Sequence, residues 1–160
     1  MQRARRNTVG DALRRAARVH RASPALIFAD RCWSFSELDR AASRVAQRFA
    51  EAGLQPGDRI ACYGRNSDAC FLAWLGCGRG GFVHVPVNYA LAGEELGYIV
   101  RQSGARAVIA AASLETNLAG IDFELRGRFA GGDGLDVLAA AQAPTSPPEI
   151  DPPLDDESLA

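Results

Sequence analysis

Apolar residues recur at helical spacing in two stretches near the amino end of the chain. The first opens with TVGD (residues 8–11), in which Thr8 is a helix cap and Asp11 suits the positive end of a helix. Its predicted apolar stripe is Val9, Ala12, Leu13, Ala16 and Ala17. The second stretch predicts the clearest amphipathic helix of the chain; it covers residues 38–49, with cap candidates in residues 34–37, and Gly53 ends it.

Two short apolar segments lie between these helices. They cover residues 25–28 and 32–35 and flank a turn at residues 29–31, a pattern that predicts a small β-hairpin. Pro24 marks the exit from the first helix. The expected start of the fold is therefore a helix followed by a hairpin.

Beyond residue 56, short apolar runs alternate with helical segments. The predicted strands are residues 59–63, 82–85 and 107–112, and the helices between them are residues 67–76, capped by Asn66 or Ser67, and 92–102. This β-α-β-α-β order implies right-handed crossovers and a parallel sheet covered on both faces. The predicted fold class is α/β, a partial doubly wound sheet. Weaker patterns indicate one more strand at residues 127–130 and one more helix at residues 135–141.

The composition changes near residue 142. Residues 143–153 contain five prolines and few apolar residues, which is typical of a linker or of a loop laid over a surface. We therefore expect an incomplete α/β unit over residues 1–142. Residues 143–160 are expected to form a proline-rich linker and an acidic segment.

The charges narrow the classes of function. The net charge of -1 produces no overall field that favours nucleic acid or an anionic membrane surface. All 18 basic residues are arginines, so the chain has no lysine side chain for Schiff-base chemistry. No apolar run approaches the roughly 20 residues that span a bilayer, and no secretory signal is present. We expect a cytoplasmic protein without a membrane span; Asp11 and the Thr8 cap favour an ordinary helix over an organellar transit peptide.

Cysteine and histidine positions do not indicate a metal site. Cys32, Cys62, Cys70 and Cys77 form no C-x-x-C pair, and the pattern favours reduced thiols packed in the interior. His84 lies in an apolar strand, where a hydrogen-bonded core histidine and a functional one are both possible.

Two glycine runs resemble phosphate-binding loops only in part. GCGRGG (residues 76–81) ends a helix and precedes a strand, the reverse of the required order, so we expect a helix cap and a tight turn. GGDG (residues 131–134) has the better order but lacks the G-x-G-x-x-G spacing and a following basic residue, so a turn is expected there too.

No G-x-S-x-G elbow supports a serine hydrolase. Glu94 and Glu95 are expected to serve a helix amino terminus.

Several segments, taken together in their order and spacing, resemble one protein family. They are TVGDAL (8–13), PALI (24–27), WSFSEL (33–38), GLQPGDRIA (53–61), GGFVHVPVNY (80–89), EELGYI (94–99) and SGARAVI (103–109). They resemble the opening part of acyl-CoA synthetases of the adenylate-forming, AMP-binding superfamily, most of all the bacterial branch that acts on fatty acids. The similarity fades after residue 112 and returns weakly at LDDESLA (154–160).

The resemblance implies an activity that this chain does not carry by itself. In the family, a segment like LDDESLA precedes the loop Y-T-S-G-T-T-G-x-P-K-G, which surrounds the ATP phosphates, and a later lid supplies a catalytic lysine. Neither is present in this sequence. ATP, magnesium and coenzyme A are therefore implied for the full-length enzyme and not for this chain. The implied partners are the rest of the synthetase and a fatty acid substrate.

The expected function is thus a fragment of a fatty-acid:CoA ligase, inactive alone, with no catalytic, cofactor-binding or metal-binding residue of its own. A second hypothesis is a self-sufficient, non-catalytic α/β binding module. The segment VPVN (residues 85–88) follows a strand end, where α/β proteins place ligands, so it is the nearest candidate for a pocket rim, with His84 beside it.

Overall fold

The computed structural model describes residues 8–132 and 134–144. Its helices are α1 (Val9–Val19), α2 (Phe35–Glu51), α3 (Asp68–Gly80), α4 (Gly93–Ser103) and α5 (Val137–Gln142), with a 3-10 helix at Ala112–Leu118. Its strands are β1 (Pro24–Phe28), β2 (Arg31–Ser34), β3 (Arg59–Tyr63), β4 (Val83–Val87), β5 (Ala107–Ala110), β6 (Leu125–Arg128) and β7 (Leu135–Asp136). Most of the predicted linker and all of its acidic segment lie outside the described residues. Of the helices in the described ranges, none has the length and apolar composition to cross a membrane.

The strands form a two-stranded hairpin and a five-stranded parallel sheet. Strands β1 and β2 pair antiparallel, which confirms the predicted hairpin. The sheet has the order β4, β3, β5, β6, β7, with β3 between β4 and β5. Ile60 of β3 is consequently level with His84 on one side and with Ala107 on the other. The helical crossovers between parallel strands confirm the α/β class and the β-α-β-α-β core.

Each face of the sheet has its own apolar core. Side chains alternate between the two faces of a strand. Ile60 and Cys62 pack against α2 and α3 in what is here named the first core, whereas Ala61 and Tyr63 pack against α4 in the second core. All four residues of β5 are buried. Burial on both faces explains why these strands are almost uniformly apolar in sequence.

Reciprocal capping bonds confirm the two predicted helix starts. At α1, Thr8 Oγ1 accepts the N–H of Asp11 at 3.2 Å, and the Asp11 carboxylate accepts the N–H of Thr8 at 3.4 Å. At α2, Ser34 Oγ accepts the N–H of Glu37 at 3.3 Å, and Glu37 Oε2 accepts the N–H of Ser34 at 2.9 Å. Both helices therefore begin where the capping-box pattern predicts.

The predicted apolar stripe of α1 is wrong in part. The buried residues of this helix are Gly10, Asp11 and Leu13, whereas Val9 is exposed. The reason is the neighbouring helix α3, from which the buried Arg79 donates through Nη2 to the carbonyl oxygen of Gly10 at 3.4 Å. This contact turns the glycine side of α1 inward.

Helix α3 continues four residues beyond its predicted end at Gly76 and stops at Gly80. Its carboxyl cap is Gly81, which adopts the left-handed conformation with φ of 76°. Gly76 lies where α3 meets α2, and an added Cβ would come within 2.4 Å of Val45 Cγ1. The first glycine of GCGRGG therefore permits close helix packing, and only the last one ends the helix.

Strand β4 also extends past its predicted end. Pro86 lies inside the strand and Val87 is its last residue. Proline is tolerated there because β4 is an edge strand of the described sheet, so no neighbour needs the missing N–H. Phe82, predicted as the first strand residue, instead packs edge-to-face on Phe49 with 5.8 Å between ring centroids.

The region after β5 differs most from the prediction. Strand β5 ends at Ala110, and the 3-10 helix that follows has no apolar periodicity that could have predicted it. Strand β6 begins two residues earlier than expected, and α5 begins at Val137, after the two-residue strand β7. Short elements of this kind are fixed by pairing with neighbours more than by local sequence.

Replacing Gly76 by alanine should lower the free energy of unfolding by about 1–3 kcal/mol, because the new methyl group overlaps Val45. Gly78 in the same helix is the matched control, since its added Cβ would lie at an ordinary 3.5 Å from Val9 Cβ. Gly78→Ala should leave stability equal or raise it by up to about 1 kcal/mol through helix propensity. Urea unfolding followed by circular dichroism measures both variants, and equal stabilities would contradict the close α2/α3 contact.

Candidate functional site

The carboxyl ends of β3, β4, β5 and β6 lie along one edge of the parallel sheet, here named the carboxyl edge. Open α/β sheets bind their ligands at this edge. The loops that leave it begin at Gly64, Asn88, Ala111 and Phe129, and the first turn of α3 follows the first of these loops. These loops and that turn make up the candidate site.

The segment VPVN ends at the carboxyl edge, as its position after a strand predicts. Val87 is buried in the second core, and Asn88 is exposed. The Asn88 Oδ1 accepts the N–H of Ala90 at 3.0 Å, so this amide shapes the turn that follows β4. The two clefts described below are lined by other residues, and a role of this segment as a pocket rim stays a prediction.

An arginine and a tyrosine stack across the loops that follow β3 and β4. The Arg65 guanidinium carbon lies 4.2 Å from the ring centroid of the exposed Tyr89. Such a stack holds a cation over an aromatic face and links the loops that follow these two strands. Arg65 belongs to no predicted motif, and Tyr89 is only the last residue of the family-like segment GGFVHVPVNY (80–89). The available signal for both was their position two residues after a strand end.

The hydroxyl of Tyr63 joins three elements beneath the same edge. The side chain is buried, and its hydroxyl donates to the carbonyl oxygen of Leu91 at 2.5 Å. It also accepts from Asn117 Nδ2 at 2.9 Å. Leu91 lies in the loop after β4 and Asn117 in the 3-10 helix after β5, so one phenol fixes the spacing of both connections.

The first turn of α3 carries a buried carboxylate with a full set of donors. Asp68 has 0% exposed surface. Its Oδ2 accepts from Arg31 Nε at 2.5 Å and from Trp33 Nε1 at 3.2 Å. Its Oδ1 accepts from Arg31 Nη2 at 2.8 Å and from the N–H of Ala69 at 2.9 Å. The hairpin is thereby bound to the start of α3 by a bidentate ion pair.

These bonds determine both the charge of Asp68 and the chemistry of the helix end. Burial alone favours the neutral acid, but the hydrogen bonds from Arg31 and Trp33 outweigh it and hold the pKa of Asp68 below its usual 3.8. Ser67 Oγ caps the same turn through the N–H of Cys70 at 3.1 Å. The positive end of α3 therefore already holds a carboxylate, and it does not fit the phosphate of a nucleotide.

The glycine turn GGDG is closed in the same way by Asp136. The N–H of Gly132 donates to Asp136 Oδ2 at 2.9 Å, and the N–H of Ala139 donates to Asp136 Oδ1 at 2.9 Å as the cap of α5. Gly131 and Gly134 have φ of 74° and 106°, which suits a turn. Asp133 lies outside the described residues, and the positive φ of the glycines on either side of it agrees with the predicted turn. The Asp136 carboxylate takes the amide group that a phosphate would need.

His84 lies near the amino end of β4, level with Ile60 and away from the carboxyl edge. Its Nε2 is buried and has no hydrogen-bond partner in the described structure. Burial lowers the pKa of the imidazole, which keeps the ring neutral at pH 7. A neutral imidazole without a bonded acid or hydroxyl does not form the paired arrangement of nucleophilic catalysis.

The cysteines differ in burial. Cys62 and Cys77 are buried and Cys70 is half-buried, and burial raises the pKa of all three thiols, which makes them poor nucleophiles. Cys32 is exposed, which corrects the expectation of four packed thiols. Strand β2 turns the neighbouring Trp33 into the core, so alternation places Cys32 on the outer face. Among residues 8–132 and 134–144, no three His, Cys, Asp or Glu side chains are grouped so as to hold a metal ion.

Among the clefts on the surface of the described residues are two of different size. The smaller, of about 230 Å³, lies beside β6 and contains the ion pair between Arg128 and Glu115, with Nε to Oε1 at 2.5 Å and Nη2 to Oε2 at 2.7 Å. The larger, of about 440 Å³, lies between β2, the first half of α2 and the end of α5. Its lining includes Arg31, Arg40 and Arg44 together with Glu37, and Arg31 is paired with the buried Asp68.

Replacing Asp68 by asparagine should lower the free energy of unfolding by about 1.5–3 kcal/mol, because the charge-assisted bonds from Arg31 are lost in a buried position. The matched control is Asp30→Asn, since Asp30 lies 4.0 Å from the same guanidinium but is almost fully exposed; its effect should stay below about 0.5 kcal/mol. Urea unfolding at pH 7 measures both. Equal effects would refute the importance of the buried pair.

The same pair predicts a pH dependence. Because the folded-state pKa of Asp68 is below the unfolded value of 3.8, its contribution to stability is present above that value and is lost as the pH falls through the folded pKa. The free energy of unfolding of the parent should therefore begin to fall as the pH approaches 3.8 and should continue to fall below it. Asp68→Asn should show a shallower fall, and parallel curves would contradict the assignment.

Replacing Tyr63 by phenylalanine should lower the free energy of unfolding by about 1–3 kcal/mol, because the carbonyl of Leu91 and the amide of Asn117 lose their shared partner. Tyr98, on the exposed side of α4, provides the control, and Tyr98→Phe should be neutral. Thermal and urea unfolding measure both. A neutral Tyr63→Phe would show that the three elements are held by apolar packing alone.

Comparison with known proteins agrees with the resemblance seen in the sequence. The family model "AMP-binding enzyme" matches residues 13–157. The fatty acid–[acyl-carrier-protein] ligase ScoC of Streptomyces coeruleorubidus is 37% identical over 84 residues, which are 52% of this chain and 16% of that protein. The feruloyl-CoA synthase of an Amycolatopsis species is 38% identical over 76 residues, 48% of this chain and 16% of that protein.

A solved structure, the fatty acyl CoA synthetase of Mycobacterium tuberculosis, matches with a TM-score of 0.79 and 25% identity. The match covers 93% of this chain and 31% of that one. The chain thus spans only a minor part of the length of its relatives. Because the family model extends over most of the sequence, the chain belongs to the family of AMP-binding enzymes.

Proposed function

We propose that the chain is the amino-terminal part of an ATP-dependent fatty-acid:CoA ligase. Such an enzyme forms acyl-AMP and pyrophosphate from a carboxylate and ATP, and then transfers the acyl group to coenzyme A with release of AMP. The observation that carries the proposal is the family match over residues 13–157. The named activity of ScoC and of the mycobacterial synthetase supports a fatty acid as the carboxylate; feruloyl-CoA synthase supplies the aromatic alternative for testing.

The contacts of the family-like turn GLQPGDRIA support a structural role for this part. Asp58 Oδ2 accepts the N–H of Gln55 at 2.7 Å and Arg106 Nη1 at 2.6 Å. Arg106 also donates to Glu124 at 2.5 Å and to the carbonyl oxygen of Gly53 at 3.1 Å. Two family-like segments, 48 residues apart at these side chains, therefore bind one another at the amino end of the sheet. Both serve to align β3 with β5.

The carboxyl edge of the described structure does not fit ATP by itself. Asp68 and Asp136 occupy the helix start and the glycine turn where a phosphate would need free amide groups. Activation of a carboxylate by ATP needs cations and donors around the phosphates and an acid for the metal. We place these groups, and the sites for ATP, magnesium and coenzyme A, in parts of the enzyme outside this chain. The chain alone is then inactive.

Two exposed features support the rest of the synthetase as partner. Strand β4 has an outer edge that pairs with no other strand of the described sheet. On α3, Phe71 and Trp74 contact each other at 5.3 Å between centroids while 38% and 37% exposed. Unpaired edges and exposed aromatic pairs are features that larger proteins cover. We propose that the following part of the enzyme covers them, and that the boundary of this α/β unit lies after residue 142.

The 160-residue chain should give no ATP–pyrophosphate exchange above background with saturated fatty acids or with ferulate. The native protein, captured from source cells with an antibody against residues 92–106, should be several times heavier than 17.0 kDa and should catalyse exchange with fatty acids. Exchange by the 160-residue chain, or a native product of 17.0 kDa, would refute the fragment hypothesis. If the native protein catalyses ATP–pyrophosphate exchange in the presence of ferulate and not of fatty acids, only the proposed fatty-acid substrate class is refuted.

A further inference from the structure

The outer face of α3 carries no charged side chain. The helix contains two charged residues, Asp68 and Arg79, and both are buried. Its exposed side chains are Phe71 and Trp74, whose rings contact each other. A helix that is apolar on all sides is found in the interior of a larger protein or in a membrane. The sequence of α3 is therefore that of an interior helix, whereas one of its faces is open here.

The other long helices, α1, α2 and α4, turn charges toward solvent. Their exposed charged residues are Arg15 and Arg18 on α1, Glu37, Arg40 and Glu51 on α2, and Glu94, Glu95 and Arg101 on α4. Helix α4 also exposes Tyr98 and Ile99, but these lie among its charges, as in a helix that faces water. An uncharged outer face is thus specific to α3 among these helices.

The apolar face of α3 continues onto α1. Phe71, Trp74 and Gly78 follow one another at intervals of one helical turn, so they form one stripe. Gly78 lies against Val9 of α1, since a Cβ added to the glycine would be 3.5 Å from Val9 Cβ. The sequence predicts that Val9 belongs to the buried stripe of α1, yet it is 39% exposed. These four residues form one surface, here named the α1/α3 face.

Most of the length of the relatives lies outside the part that this chain matches. The match to the mycobacterial synthetase covers 31% of that protein. In such an enzyme a larger body of protein is joined covalently to this chain, and it has a high effective concentration at the α1/α3 face. A helix that rests on an anionic membrane instead carries basic residues beside its apolar ones, and α3 exposes none. These observations favour the rest of the enzyme as the occupant.

The edge of β4 indicates how that occupant makes contact. Val83 donates its N–H to the carbonyl oxygen of Asp58 at 2.9 Å, so the backbone groups of Val83 face β3. Successive residues of a strand turn these groups to opposite sides, and those of His84 and Pro86 therefore face outward. Pro86 has no N–H, which interrupts the row of donors that an added strand needs. Side-chain packing on the α1/α3 face is the contact that remains.

We propose that an apolar part of the synthetase outside this chain packs its side chains on the α1/α3 face and adds no strand to β4. Helix α3 is then an interior helix, shared by this α/β unit and the part that covers it. The proposal rests on the proposed function, because both require a longer synthetase chain.

Oxidation by hydroxyl radicals tests the cover directly, since Trp33 is buried and Trp74 is exposed in the same chain. Peptide mass spectrometry follows the oxidation rate of each in the 160-residue chain and in the native full-length protein. The rate at Trp74 should fall about tenfold in the full-length protein, because the centre of an interface excludes water. Trp33 should stay slow in both proteins. Tyr98, on the charged outer side of α4, should oxidise equally in both.

A matched pair of variants tests the same face by charge. Trp74→Glu places a carboxylate on the α1/α3 face, and Tyr98→Glu places one on the solvent side of α4. In the 160-residue chain both should unfold near the urea midpoint of the parent, since both positions are exposed. In the full-length protein Trp74→Glu should lower the soluble yield about fivefold or more, because its charge is then buried without a partner. Equal yields of the two full-length variants would contradict the proposal.

Amide hydrogen exchange tests the second half of the proposal. The N–H of His84 should exchange at rates that agree within about tenfold in the full-length protein and in the 160-residue chain, because no added strand accepts a hydrogen bond from it. Val85, whose N–H faces β3, is the internal reference and should be protected in both. Slowing of the His84 amide to the rate of Val85 in the full-length protein would reveal an added strand and overturn this half.

The outcomes separate this proposal from the proposed function. Unchanged oxidation of Trp74 in a full-length protein that is heavier than 17.0 kDa and active in ATP–pyrophosphate exchange would overturn this proposal alone. A native product of 17.0 kDa would overturn both. Protection of Trp74 in the full-length protein only after addition of phosphatidylglycerol vesicles would also overturn it, because a membrane would then be the occupant.

Discussion

The carboxylate of Asp68 has no contact with solvent, and this burial constrains the whole amino-terminal half of the structure. A buried carboxylate without partners would cost several kcal/mol, so cations and donors must come to it. Arg31 and Trp33, both on β2, meet this need and thereby fix the hairpin against the start of α3. Trp33 then joins the first core, and α2 begins directly after β2.

Several other long-range bonds between elements are also made by arginine. Arg79 bonds to Gly10 of α1 and to Asp39 of α2, and Arg106 joins Asp58 to the segment before β6. A planar guanidinium can bind acceptors on two elements at once, which the single ammonium of lysine does less well. A chain whose basic residues are all arginine is suited to this kind of bridging.

At the carboxyl edge of the sheet, bonds within the chain limit the chemistry that the side chains can perform. Its donors and acceptors are largely used within the chain: the Tyr63 hydroxyl, the Asp68 carboxylate and the Asp136 carboxylate each bind neighbouring elements. We propose that the reactive groups of the enzyme are supplied to this edge by parts outside this chain. This agrees with a chain that covers a small part of the length of its AMP-binding relatives.

The sequence by itself determined the features that depend on neighbouring residues. Both capping boxes, the hairpin, the order of strands and helices up to β5, and the family followed from patterns within a few residues of each other or from motifs in a fixed order. Tertiary structure alone decided which side of α1 is buried, why Gly76 lies inside a helix, and why Pro86 lies inside a strand. It also decided the pairing of Asp68 with Arg31, 37 residues away. Local patterns encode backbone conformation, whereas burial and pairing depend on which elements meet, and that depends on the chain as a whole.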